Sequence, residues 1–245
     1  MIDLDLTEEQ RILEQTVREW GAREVAPHIK ELDRQHRFDK NFLVQMADMG
    51  LLGCSVPTEY GGAGMDYISL GIISEELEYV DTSLRVIMSV HAGLNCLTLL
   101  TWGTEDQKQR YLVPQAQGKK IATYGLTDPA AGSDVRGIQT VAVKKGNKYA
   151  ISGEKMWISL ADVADNFLVF AWTDMEKKKQ RDTSGISAFI VERGFKGFSS
   201  GSLKEKWGIL AGNTGYFKMD EVEVPAENLV GREGEGFKIA MFALD

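Results

Sequence analysis

The sequence predicts a multidomain α and β protein, in which a helical region precedes a region of strands. Three observations lead to this fold class. Apolar residues recur at helical spacing up to about residue 120, and from Ile121 onward they alternate with a period of two. A helical pattern returns at Gly236. The length of 245 residues exceeds a typical domain of roughly 150 residues, so two segregated domains are expected.

The first three predicted helices each have a boundary signal and an apolar stripe. Thr7 to Gln10 read as a capping box before the first helix, Gly50 as the end of the second, and Asp66 as the cap of the third. The three stripes are Leu13, Val17 and Trp20, then Phe42, Leu43, Met46 and Ala47, then Leu70, Ile73 and Leu77.

Two further helices complete the helical region. Asp81 begins a helix from Thr82 to about Thr101, which is apolar on almost all sides and is therefore expected to be buried. Gly103 ends this helix, and Thr104 to Gln107 form a second capping box. The short helix that follows is expected to stop near Gly118.

The strand region begins with a hairpin. Val141 to Lys144 alternate in polarity, and Gly146-Asn147 is a two-residue turn signal before the next strand. The charged segment from Asp174 to Asp182 is expected to be an exposed loop whose lysines are solvated rather than bound to a polyanion. The later strand predictions are Phe167 to Trp172, Ile186 to Val191, and a strand that ends with Val222, Val224 and Pro225.

Composition excludes several classes of protein. The net charge of −8 and the pI of about 5.1 argue against nucleic acid as a partner. The acidic segment Met1 to Asp5 lacks the features of a secretory signal. The longest apolar runs are interrupted by Arg85, His91 or Asn95, so no membrane span is expected. The expected location is the cytoplasm, or the mitochondrial matrix if a transit peptide has been removed.

No common hydrolase or metal motif is present. Cys54 and Cys96 are expected to be buried hydrophobic residues rather than a redox pair. The histidines His28, His36 and His91 have no metal-ligand spacing and are interpreted as surface or capping residues, so no metal is expected. The pair Glu75-Glu76 is interpreted as acidic residues early in a helix, where the helix dipole stabilises them.

Two segments stand out chemically. Tyr124 to Asp134 is a strand followed by a polar loop of small and hydroxyl residues, whose backbone amides could approach a phosphate closely. Gly153 to Ser159 follows about 25 residues later and places an indole beside a hydroxyl on the next strand. By itself each segment also fits an ordinary turn or a core tryptophan.

Together, and in this order, these segments resemble signatures of the acyl-CoA dehydrogenase family. Gly125 to Asp134 is similar to the family's first signature, with Asp128 in place of the usual glutamate. The other matching segments are Val56 to Gly62, Gly103 to Lys108, and Val222 to Asn228. The resemblance implies an N-terminal helical domain (1–120), a middle β-barrel domain that binds flavin (121–232), and the start of a C-terminal helical bundle (233–245).

The resemblance implies an FAD-dependent enzyme that oxidises an acyl-CoA thioester to the trans-2-enoyl-CoA by hydride transfer to flavin N5. Tyr124, Leu126 and Thr127 would then line the pyrimidine edge of the flavin. The other implied contacts are Gly132 and Ser133 at the pyrophosphate, Trp157 and Ile158 at the ring face, Ser159 as a donor to N5, and Ser133 also near CoA.

Departures from the family pattern affect particular positions. Ser159 replaces threonine, which keeps the donor but loses the methyl group that restricts its rotamer. Ser152, Leu160-Ala161 and Leu210 also depart from the usual residues. The family's catalytic glutamate lies in the C-terminal bundle, so the base is expected beyond Asp245 and no catalytic residue is named in this chain. The chain is then expected to be either a fragment of a longer enzyme or, by itself, an inactive protein that binds flavin weakly at most.

A possible substrate contact lies on the helices. Glu78 and Arg85 resemble the pair that glutaryl-CoA dehydrogenases place near the distal carboxylate of their substrate. A helical ion pair between Asp81 and Arg85 is the alternative, and Val86 departs from the serine expected there.

Three functional classes remain open at this stage. The first is a dehydrogenase that passes electrons to an electron-transfer flavoprotein and forms a homo-oligomer, a tetramer by the resemblance, in fatty acid or amino acid catabolism. The second is a non-catalytic module that holds flavin, acyl-CoA or a partner subunit. The third is a related flavin oxidase, which would consume oxygen.

Overall fold

A computed structural model describes residues 5–244; residues 1–4 and Asp245 lie outside the described part, and with them most of the acidic segment considered above. The helical N-terminal region, the sheet-rich middle region and the helix that follows confirm the predicted fold class.

The first region is built from helices. Wider π-type turns interrupt three of them, at Gly21–Val25, Met88–Leu97 and Lys108–Leu112. Short 3-10 turns at Leu51–Gly53 and Thr58–Tyr60 lie between the second and third helices. The helices are α1 (residues 8–34), α2 (Asn41–Asp48), α3 (Tyr67–Val80), α4 (Thr82–Trp102) and α5 (residues 105–116).

The predicted helix boundaries are present as hydrogen bonds and backbone angles. Thr7 and Gln10 form the reciprocal capping box, and Asp66 accepts a hydrogen bond from the Ser69 amide. Gly50 follows α2 with a φ of 72°, the left-handed conformation that glycine adopts at least cost. The buried stripes of α1 to α4 then pack into one core that includes Val17, Met46, Ile73, Leu77 and Leu84.

The strand region forms one eight-stranded sheet. The strands are β1 (Ala122–Gly125), β2 (Val141–Lys145), β3 (Lys148–Ser159), β4 (Asn166–Trp172), β5 (Ile186–Glu192), β6 (Phe198–Ser202), β7 (Thr214–Pro225) and β8 (Leu229–Val230). Their order in the sheet is β6-β7-β3-β2-β4-β5-β8, with β1 paired in parallel to β4. Two more helices, α6 (Met175–Gln180) and α7 (Gly236–Leu244), follow β4 and β8.

The sheet curls into a barrel-like shape. Phe167 of β4 contacts Phe198 of β6 with ring centroids 4.5 Å apart, although β7, β3 and β2 lie between these two strands in the sheet. Among the described strands no ladder joins β6 to β8, so the backbone hydrogen bonds do not close the barrel.

Several local predictions were wrong. The charged segment expected to be a loop contains α6, whose cap is Asp174, and its lysines reach backbone carbonyls or Glu176. Strand β6 was missed because its serines and glycine carry no apolar alternation. Glu76 is not early in its helix: it lies in the second half of α3, is buried, and pairs with Arg18 at 2.6 Å.

Helix α4 also differs from expectation. It has 21 residues, and an 18-residue stretch of it with a mean hydropathy of 1.4 is long and apolar enough to cross a membrane, although no such segment was expected. The polar residues are too few to interrupt the apolar stretch, and His91 and Asn95 are buried. About half of this stretch is buried within the protein, as in the core helix of a globular fold, so the helix is only partly buried rather than buried on all sides.

Candidate functional site

A cleft of about 370 Å³ lies where the sheet meets helices α4 and α7. The structure brings all eight predicted cofactor residues together in its lining: Tyr124, Leu126, Thr127, Gly132, Ser133, Trp157, Ile158 and Ser159. Their contact with FAD stays a prediction, but their convergence from two strands and one loop is a property of the fold.

Trp157 owes its position to a bulge in β3. The pairing of β3 with β7 shifts between Met156 and Ile158, so Trp157 is the extra residue on its strand. Its φ of 62° is unusual for a bulky side chain and costs of order 1–3 kcal/mol. The indole is 66% exposed at the cleft. Backbone strain that presents a large aromatic face to solvent is typical of functional sites.

Three hydroxyl groups line the same wall of the cleft. Thr127, Ser133 and Ser159 form no side-chain hydrogen bond with any residue in the described part of the chain. The backbone of two of them is held in place, because the Met156 amide donates to the Thr127 carbonyl at 3.0 Å and the Thr123 hydroxyl donates to the Ser159 carbonyl. The wall therefore presents three hydroxyl groups that are available as donors to a ligand.

Tyr124 of β1 connects the cleft to helix α7. The Tyr124 hydroxyl donates to the Ala240 carbonyl of α7 at 3.2 Å, and burial raises the pKa of this phenol. The other helix contributions are apolar side chains: Val90 and Leu94 of α4, and Met241 and Leu244 of α7. A second cavity of about 660 Å³ shares Leu94 and Leu244 with the cleft, so the apolar wall extends away from the hydroxyl groups.

A buried ion pair that the sequence analysis did not predict supports the loop of the cleft. The Lys155 ammonium lies 2.6 Å from the Asp128 carboxylate, and both side chains are almost completely buried. Burial lowers the pKa of Lys155 to about 8, against the opposing effect of Asp128. The signal that could have suggested the pair is the position of Lys155 three residues before Ile158, in the part of β3 that returns to apolar residues and where Lys155 is buried.

His91 was also misread, because it is completely buried rather than at the surface. Its Nδ1 accepts from the Ala122 amide of β1 at 3.0 Å, and its Nε2 lies 3.1 Å from the Gln115 carbonyl. Burial lowers the pKa of this imidazole to about 4, so it is neutral near pH 7. His28 and His36 are exposed, as expected, and both cysteines are buried and free.

Glu78 and Arg85, the predicted substrate residues, do not line the cleft. Arg85 pairs with Glu78 at 2.9 Å and not with Asp81, which instead accepts from the Ser83 amide as a helix cap. Arg85 also donates to the Ser89 hydroxyl at 2.8 Å, and Ser89 lines the second cavity. The hydrogen bonds from Thr82 and Arg85 lower the pKa of Glu78.

The chemistry that these residues offer is limited to binding and orientation. No carboxylate occurs among the described residues that line the cleft. Within residues 5–244 no cluster of three or more histidine, cysteine or acidic side chains could hold a metal ion. The arrangement provides a flat aromatic face, hydroxyl donors and an apolar chamber, which suit a planar heterocycle beside an apolar chain.

Comparison with known proteins agrees with the motifs. Residues 7–119 match the family model of the acyl-CoA dehydrogenase N-terminal domain, and residues 123–222 match that of the middle domain. The short-chain specific acyl-CoA dehydrogenase of Clostridium acetobutylicum is 46% identical over 244 residues, which cover all of this chain and 63% of that relative.

Two solved structures extend this likeness to the fold. A chain from work on the electron transferring flavoprotein of Acidaminococcus fermentans superimposes with a TM-score of 0.94 at 40% identity, over 99% of this chain and 63% of that one. The acyl-CoA dehydrogenase of Bacillus anthracis, complexed with FAD, gives a TM-score of 0.90 at 35% identity, over 100% of this chain and 41% of that one. The chain thus spans about two fifths to three fifths of the length of these relatives.

Proposed function

The chain belongs to the acyl-CoA dehydrogenase family, and from this we propose that it binds FAD and takes part in oxidising an acyl-CoA thioester to the trans-2-enoyl-CoA. The observation that carries the proposal is the cleft itself, in which a strained, exposed indole and three hydroxyl donors without partners meet an apolar wall.

The residues of the cleft fit FAD. The exposed face of Trp157 suits one side of a planar ring, and the hydroxyls of Thr127, Ser133 and Ser159 match the acceptor atoms of a flavin and its pyrophosphate. A Cβ built on Gly132 would meet nothing within 4 Å, so the loop leaves open space where a phosphate could lie.

Each residue then has a defined task. Bound FAD would supply the acceptor for the hydride that leaves the β-carbon. Thr127, with Tyr124 and Leu126, would hold the pyrimidine edge. Ser159 would donate a hydrogen bond to N5, the atom that takes the hydride, and so stabilise the reduced flavin as its negative charge develops. Val90, Leu94 and Met241 would exclude water and orient the acyl chain. The position of the base beyond Asp245 stays a prediction.

We extend the proposal to partners with the same support from the family. A short acyl-CoA is the proposed substrate, because the 46% identical relative is short-chain specific. An electron-transfer flavoprotein is the proposed electron acceptor, since a close structural match comes from work on such a protein. Assembly into a homo-oligomer remains an expectation of the resemblance, and the location remains an expectation of the sequence.

The test uses the natural full-length protein. We expect a flavin absorption band after FAD is added, and bleaching of this band when butyryl-CoA is added without oxygen. A Ser159→Ala variant should keep FAD but bleach at least tenfold more slowly, whereas Ser152→Ala on the same strand, outside the cleft, should behave as the wild type.

Other outcomes identify the alternatives. Binding of FAD without bleaching by any acyl-CoA would favour a non-catalytic module. Oxygen consumption during turnover would favour a flavin oxidase. If no flavin band formed with added FAD, the proposed function would be wrong.

A further inference from the structure

The ion pair between Lys155 and Asp128 is costly where it lies. The Lys155 side chain has no exposed surface and that of Asp128 has 2%. Removing two charges from water costs several kcal/mol per ion, which their attraction repays only with good geometry and additional hydrogen bonds. Neither side chain lines the cleft, so neither can contact a ligand there.

The pair holds the turn that follows β1 from two directions. On one side, the Lys155 ammonium also donates to the Leu126 carbonyl at 2.8 Å. On the other, the Asp128 carboxylate accepts from the amides of Gln139 and Thr140 at 2.6 and 2.9 Å, and from the Thr140 hydroxyl. The backbone of residues 126–128 is thereby tied to β3 and to the segment before β2.

Both ends of the ion pair are adjacent to the cleft. Leu126 and Thr127 precede Asp128 directly, and Trp157 lies two residues after Lys155 on β3. The Met156 amide, next to Lys155, donates to the Thr127 carbonyl at 3.0 Å. One buried lysine therefore links the turn with Thr127 to the bulge that presents Trp157.

We propose that Lys155 is a positioning residue for the cofactor, which fixes Leu126, Thr127 and Trp157 in a binding arrangement through Asp128 and the Leu126 carbonyl. This inference rests on the proposed function, since it assumes that the cleft binds FAD. Lys155 itself touches neither cofactor nor substrate.

The test compares FAD affinity in the full-length protein with stability. Lys155→Met removes the charge at similar length, and we expect the FAD dissociation constant to rise at least tenfold, with a shift in the flavin absorption band. Lys148→Met removes an exposed lysine of the same strand that pairs with Glu223 at 2.8 Å, and it should leave both unchanged.

A second control separates positioning from a general loss of stability. Leu77→Ala truncates a fully buried residue of the helical core, which does not line the cleft, and should lower the stability of the protein. If the two variants were equally stable and Leu77→Ala weakened FAD binding as much as Lys155→Met, the proposal would be overturned. Equal FAD binding by Lys155→Met and wild type would also overturn it.

Two further measurements complete the design. In protein without FAD, the Gln139 and Thr140 amides should exchange hydrogen faster in Lys155→Met, because Asp128 loses its fixed position; unchanged exchange would contradict the inference. If Lys155→Met fails to fold, Asp128→Asn is the replacement variant, because it removes the other charge and keeps the size of the side chain. It should also raise the FAD dissociation constant. Failure of the wild type to bind FAD would instead reject the proposed function.

Discussion

The two walls of the cleft are built differently. On the strand wall, hydrogen bonds from the Met156 amide and the Thr123 hydroxyl hold the backbone of Thr127 and Ser159. On the helix wall, the side chains of Val90, Leu94, Met241 and Leu244 contribute apolar contact only. Directional recognition needs fixed donors, whereas apolar contact mainly needs shape. We therefore expect the strand wall to determine cofactor binding and the helix wall to determine acyl size.

His91 joins the two walls, and its titration should have the largest effect. The imidazole of His91 has a pKa of about 6.5 in the unfolded chain, and burial lowers this pKa to about 4 in the folded protein. Between these two pH values the unfolded state binds more protons than the folded state. The contribution of His91 to the free energy of unfolding is therefore fully present above pH 6.5 and is lost as the pH falls toward 4. The loss from this one group is about 3 kcal/mol.

Urea unfolding between pH 7 and pH 4 measures this effect. Over this range the free energy of unfolding of the wild type should fall by about 3 kcal/mol more than that of His91→Gln, since all other titratable groups are the same in both proteins. His28→Gln changes an exposed histidine and should follow the wild-type curve. Parallel curves for the wild type and His91→Gln would contradict this prediction, because protonation of His91 would then not destabilise the contact between the two walls.

Trp157 should separate cofactor binding from stability. Because the indole is 66% exposed on a strained bulge, Trp157→Ala should change the free energy of unfolding by less than about 0.5 kcal/mol. The FAD dissociation constant should rise about tenfold, measured by flavin fluorescence. Trp207→Ala removes a fully exposed indole outside the cleft and serves as the control. Equal FAD affinity in the wild type and both variants would show that the flavin ring does not pack against Trp157.

The features that local rules determine were predictable from the sequence. Capping boxes, the left-handed Gly50 and the Gly146-Asn147 turn involve neighbours within four residues, so their patterns are visible in the chain. The two segments of the cleft were noticeable by their own chemistry, but their meeting in one site was implied only by the family resemblance, because nothing local predicts that Tyr124 and Ser159 share a cavity.

The features that depend on tertiary structure were missed. Lys155 pairs with a residue 27 positions away, His91 with one 31 away, and Glu76 with one 58 away. Each of these polar groups looks like a surface residue until its distant partner is known. Helix α6 was missed for a different reason: it carries no apolar stripe, and its cap and lysines stabilise it on the surface.

The helix wall should respond to side-chain size. Leu94 lines both cavities, so Leu94→Phe should fill part of the space between them and raise KM for octanoyl-CoA several-fold more than for butyryl-CoA. FAD affinity should not change, in contrast to the variants of the strand wall. Leu94→Ala is the matched change in the opposite direction and should favour the longer substrate. An equal effect on both substrates would mean that the acyl chain does not reach Leu94.

Substitution of Arg85 should have the smallest effect on the stability of the protein. Arg85 and Glu78 are both partly exposed, so Arg85→Ala should cost less than about 1 kcal/mol of stability. Its hydrogen bond to Ser89 nevertheless places a cation at the edge of the apolar cavity, where a distal carboxylate could bind it. If it does, Arg85→Ala in the full-length enzyme should reduce kcat/KM for glutaryl-CoA and leave butyryl-CoA unchanged. Glu78→Gln, which frees the guanidinium, should not reduce glutaryl-CoA turnover, and equal losses on both substrates would exclude the carboxylate contact.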